Sequence, residues 1–220
     1  MKHQQSGFTL VEIAIVLVIV GLLLGGVLKG QELINSAKVK NLAQDFRNAP
    51  LAILGYQDRF RAIPGDDGRA ASNLPTGAVA DNGNANGRID GEWDSETASV
   101  ESAKYWRAVR LANFASGPTD LTQTGYYPIN AEGGRLGLTG AIVSQVPITN
   151  MTGSYVFCSS GILGKFAKQL DTTMDDGNTE TGSIRTRALV VGIAATAPLP
   201  AIASTVANFE TTGYTVCMTF

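Results

Sequence analysis

One segment limits this chain before anything else. Residues 8–28 read FTLVEIAIVLVIVGLLLGGVL, 21 residues with a single charge, Glu12. As a helix this run is about 32 Å long, enough to cross the apolar core of a bilayer. It is too long for the core of a secretory signal peptide, and no small-residue cleavage site of the A-x-A type follows it. The spacing therefore predicts a membrane helix over 8–28. The polar residues 2–6 precede the run and Gly7 stands at its boundary, so processing there leaves the apolar segment in the mature protein.

Glu12 is the anomaly, because a carboxylate in the apolar part of a spanning helix is costly and calls for compensation. In an ordinary single-span protein the side chain would snorkel to water. If the chain is cut ahead of Phe8, a cationic amine arises one helical turn from Glu12, and subunits packed side by side can pair one chain's amine with the next chain's carboxylate.

The stretch Gly7-Phe8-Thr9-Leu10-Val11-Glu12, opening a 20-residue apolar run, resembles the signature of type IV prepilins and type II secretion pseudopilins. That resemblance implies cleavage between Gly7 and Phe8 by the prepilin peptidase, methylation of the new Phe8 amine, and an assembly role for Glu12. It further implies a single-pass inner membrane protein with its head on the periplasmic or external side, later drawn into a helical filament with other pilin or pseudopilin subunits. The expected product is a structural subunit, a minor pilin or pseudopilin, and not an enzyme. A proline in the membrane half, common in major pilins, is absent, and Gly25 and Gly26 are the local sources of flexibility. The alternative is an adhesion or ligand-binding module that uses the pilin stalk for display.

Composition narrows the classes further. Lys and Arg number 17 against 19 Asp and Glu, for a formal charge of −2, so no basic surface points to nucleic acid. The single histidine, His3, lies in the leader, and its removal leaves no imidazole for acid–base or metal chemistry. Cys158 and Cys217 lack the close spacing of a zinc or redox motif. One structural disulfide in an oxidising compartment is the simple reading; two buried thiols are the other.

The expected organisation is a leader over 1–7, an assembly helix over 8–60, and an α+β head over 61–220. Beyond residue 28, Leu33, Ile34, Ala37, Leu42, Phe46 and Ala49 recur near helical spacing, so the helix continues into the head. Pro50 is expected to kink or interrupt it, with helix resuming to about residue 60. Pro64-Gly65-Asp66-Asp67-Gly68 ends the stalk, and an irregular connection runs to about residue 98. A helix is predicted over 99–114, with Trp106 on its apolar side and Lys104, Arg107 and Arg110 facing water. Strands are predicted over 138–146, 155–158, 188–193 and 214–218, with a short helix over 162–170. These make an antiparallel sheet covering the head half of the stalk helix.

Two loops carry candidate chemistry. Asn82, Asn84, Asn86 and Asp90 place side-chain oxygens at spacings that partly match an EF-hand calcium loop, with Gly87 and Ile89 at the glycine and aliphatic positions. The twelfth position holds Trp93, which cannot supply the usual bidentate carboxylate. Asn, Asp and Gly are also turn formers, so a plain turn competes with calcium there. The second loop, 174–182, is Asp- and Gly-rich and resembles a turn in the heads of some minor prepilin-like proteins; calcium-binding loops also occur in major pseudopilins, but a plain turn is the favoured reading.

Overall fold

The computed structural model describes residues 9–141, 146–189 and 198–220. The leader and both residues of the expected scissile bond, Gly7 and Phe8, therefore lie outside the described residues. So do residues 142–145 and 190–193 of two predicted strands. The chain forms two compact units, Met1–Lys38 and Val39–Phe220.

Helix α1 runs Leu10–Phe60. In the first unit its apolar side chains are exposed on every side, from Leu10 at 91% to Val20 at 44%, as expected for a helix whose solvent is lipid or other helices. It is long and apolar enough to cross a membrane. In the second unit α1 is amphipathic and buries Val39, Leu42, Ala43, Phe46, Ala49, Ala52, Ile53 and Tyr56. Pro50 sits inside it without interrupting it, contrary to one expectation from the sequence. Buried residues on both sides of the proline hold the two segments against one core, which offsets the lost backbone donor.

That core is built by a four-stranded antiparallel sheet: β1 Leu136–Gly140, β2 Tyr155–Leu163, β3 Ile184–Ala188 and β4 Gly213–Thr219, in spatial order β1-β2-β4-β3. The rings of Phe46 on α1 and Phe157 on β2 meet edge to face at 5.2 Å. Fully buried Leu42, Phe46 and Ile53 each contribute about 2 kcal/mol of burial. The β2–β4 register shifts between Ser159 and Ile162, where Gly161 takes φ 70°, a conformation that favours glycine. Thus β2 extends past the predicted 155–158, and the following helix, α4, starts later, at Gly164–Met174.

The remaining elements are a four-residue helix α2 at Ala70–Asn73, helix α3 at Glu101–Leu111, and two single-turn 3₁₀ segments at Val79–Asp81 and Phe209–Thr211. Trp106 is buried, as its spacing predicts. Arg110 departs from its predicted place in water: it is 6% exposed and donates to the carbonyls of Ser116, Pro118 and Tyr126. Its stem and planar head lie over Trp106 and Tyr126, so packing and carbonyl partners replace hydration.

Candidate functional site

At the start of α1, Thr9 and Glu12 cap the helix reciprocally. Glu12 Oε2 accepts the Thr9 backbone N–H and the Thr9 hydroxyl, each at 2.8 Å. Thr9 Oγ1 in turn accepts the Glu12 N–H at 3.3 Å. This is a capping box, in which threonine at the cap and glutamate three residues on satisfy each other's backbone donors. The carboxylate is thereby fixed in the first turn of α1, at the head of its apolar stretch 10–28. Thr9 is the residue the sequence reading passed over; the signal for it is T-x-x-E directly before an apolar run.

The calcium-like loop has a different organisation from that of its residue spacing alone. Asn82 Oδ1 accepts the Ala71 N–H at 2.8 Å, Asn84 Oδ1 the Asn86 N–H at 2.9 Å, and Asn86 Oδ1 the Arg88 N–H at 3.1 Å. Asn84 and Asn86 present their amide nitrogens to Asp90 Oδ2, at 3.0 and 2.7 Å. Arg88 adds an ion pair to Asp90 Oδ1 at 3.1 Å. Desolvation pushes the Asp90 carboxyl up, but these amides and Arg88 hold it below its ordinary range. Asn84, Asn86 and Asp90 thus meet as a hydrogen-bonded turn, with nitrogens rather than oxygens facing the carboxylate, while Asn82 is turned to the Ala71 N–H.

Two buried acids pin that loop. Asp66 accepts the N–H groups of Asn86 and Gly87, at 3.0 and 2.8 Å, and Glu101, at the start of α3, accepts those of Asn84 and Asp90, both at 2.9 Å. Burial raises the Glu101 carboxyl above the usual range, with the Asp90 and Asn84 N–H groups acting the other way. Asp67 takes the Tyr56 hydroxyl at 2.9 Å and the Asn73 amide at 2.7 Å. Gly83 approaches Asp66 so closely that a side chain at position 83 would collide with its backbone. The Asp66-Asp67 pair, which the sequence presents as the end of the stalk, is therefore a hub joining α1, α2 and the loop.

Cys158 on β2 and Cys217 on β4 stand opposite each other in register and form a disulfide, with Cα atoms 4.1 Å apart. The bond joins the two central strands, as predicted for an early strand and the last one. Both sulfur positions are fully buried, in a cluster with Trp93, Ile148 and Val156.

A long N-terminal helix, opened by a Thr9–Glu12 cap and apolar and exposed in its first part, with a small four-stranded antiparallel sheet, is a pilin-like α+β arrangement. Residues 2–28 match the family model described as the prokaryotic N-terminal methylation motif, so the chain carries a prepilin-type N-terminus. No curated protein and no solved structure matches the chain.

Proposed function

We propose that this protein is a structural subunit, a minor pilin or pseudopilin, of a type IV pilus or type II secretion pseudopilus. The prepilin peptidase cuts it between Gly7 and Phe8, Phe8 is methylated, and the subunit moves from the inner membrane into a filament with other pilins. The observation that carries this reading is the coincidence of the methylation motif at 2–28 with a helical stretch, residues 10–28 of α1, whose apolar side chains are all exposed and whose one charge is Glu12. Such a helix needs lipid before assembly and neighbouring helices after it. Leu33 and Ile34 in the first unit, and Leu51 and Leu54 in the second, extend exposed apolar surface beyond the membrane segment, which suits contact with neighbours.

Mass spectrometry of the N-terminus in membranes and in sheared filaments tests the proposal. The expected species begins at methylated Phe8. A protein beginning at Met1 in both fractions, or one lacking the apolar run, overturns it.

A further inference from the structure

The carboxylates of Asp171, Asp175 and Asp176 converge at one end of α4, each offering an oxygen within 4.8 Å of the other two. Gly177 and Gly182 take φ values of 81° and 72°, so the following segment is a turn, as its composition predicts. A turn does not account for Asp171. This side chain is fully buried, and neither carboxylate oxygen has a hydrogen-bond partner. The N–H groups of Gly177 and Asn178 lie toward it without closing a hydrogen bond, and that of Asn178 is held by Asp176 Oδ1 at 2.9 Å. Asp175 Oδ2 accepts the Ile184 N–H at 2.7 Å, and Asp176 Oδ2 accepts the Thr181 hydroxyl at 2.6 Å.

The location sharpens the problem. A helix C-terminus carries the negative end of the backbone dipole, where lysine or arginine is the stabilising choice. The last turn of α4 holds no basic residue, and three carboxylates stand there instead. Arg185 acts on Asp176 through space, while its guanidinium donates to the carbonyls of Gly182, Thr149 and Asn150. A buried carboxylate with unused lone pairs, beside two more carboxylates, is stabilised by a cation set among them.

We propose that Asp171, Asp175 and Asp176 bind a hard divalent cation of the calcium class, with Asp171 supplying the buried ligand oxygen. An all-carboxylate donor set suits calcium rather than zinc or copper, which favour nitrogen and sulfur. Because Asp175 also holds the first N–H of β3, an ion there ties the end of α4 to the edge strand of the sheet.

The test is calorimetric titration of the chelator-stripped full chain in detergent with calcium chloride, beside thermal melts. One ion per chain is expected, with a dissociation constant of about 0.1–1 mM and a higher melting temperature. Asp171→Asn and Asp176→Asn should each weaken binding by roughly tenfold or more, whereas Asp90→Ala leaves it unchanged. Asp171→Asn removes one of three like charges, so without calcium it melts at or above the wild-type temperature; Asp176 is exposed, so its substitution does not disturb packing. No heat and no melting shift up to about 10 mM calcium, binding that survives both Asp171→Asn and Asp176→Asn, or binding abolished by Asp90→Ala overturns the site.

Discussion

Glu12 Oε2 lies 2.8 Å from both the backbone nitrogen and the hydroxyl of Thr9, so one carboxylate oxygen caps the helix that it also charges. The two roles separate by substitution. Glu12→Gln keeps a side chain suited to the capping box and removes the charge, while Thr9→Ala removes the cap and keeps the charge. A neutral residue is easier to hold in lipid, so Glu12→Gln should insert and be cleaved at wild-type levels yet be largely absent from filaments. Thr9→Ala should still assemble. Comparing processed protein in membranes with protein in sheared filaments decides it; equal incorporation of Glu12→Gln removes the charge-pairing role.

The disulfide makes a prediction about stability. Cys158 and Cys217 are 59 residues apart in sequence, and the closed loop contains α4 and β3. In the chain-entropy model that crosslink contributes about 4 kcal/mol as an upper figure. The double substitution Cys158→Ala with Cys217→Ala should lower the melting temperature by roughly 10 °C. Non-reducing mass analysis that finds two free thiols in the purified protein would refute the bond itself.

What the sequence made legible was local. The uniform apolarity of 8–28 and the helical spacing after it located α1 to its end near Phe60, and β-prone runs located β2 and β4. Strand β3 begins ahead of the predicted 188–193, of which 190–193 lie outside the described residues; Ile-Arg-Thr-Arg-Ala has the look of a polar segment. Arg187 is nonetheless 2% exposed and donates to the Pro147 carbonyl, a partner 40 residues away that no window of sequence reveals. The same holds for Asp66, whose partners Asn86 and Gly87 come from another segment, while Arg110 is buried by carbonyls that follow it beyond the end of α3. The Thr9–Glu12 cap, by contrast, lies within four consecutive residues, so the pattern T-x-x-E carries it although the apolar run and the lone charge drew the reading away from Thr9.

Asp45 gives a pH dependence. It lies on the rim of a groove of about 450 Å³ between α1, Trp106 and Phe114, and burial pushes its carboxyl from 3.8 to about 6. A carboxyl whose folded value is raised binds more protons in the native state, so stability falls as pH rises from about 4 to 6. Asp45→Asn should therefore stabilise the protein at pH 7 by about 1–2 kcal/mol, after allowance for partial exposure, and give no advantage at pH 4. Chemical denaturation at the two pH values measures this. A gain of equal size at both would point to packing rather than ionisation.

The last prediction separates what holds the 82–90 loop from what merely decorates it. Asp66 and Glu101, 3% and 5% exposed, together accept four backbone N–H groups of that loop. Charge-assisted bonds to a buried carboxylate are among the stronger ones, and deleting the acceptor removes the partner that fixes these N–H groups. Asp66→Ala strands the Gly87 N–H, leaves the Asn86 N–H with Asn84 Oδ1 alone, and should cost about 2 kcal/mol, seen as a melting temperature roughly 5 °C lower. Asp90 accepts side-chain donors from Asn84, Asn86 and Arg88, and these contacts sit in solvent. Exposed pairs of this kind contribute little, so Asp90→Ala should cost about 0.5 kcal/mol without added metal. Asp66→Asn should fall between them, since it keeps one acceptor but turns an amide donor toward an N–H. Thermal melts of the three variants in chelator give the ranking directly, and an Asp66→Ala protein as stable as Asp90→Ala would mean that the loop is not anchored through this carboxylate.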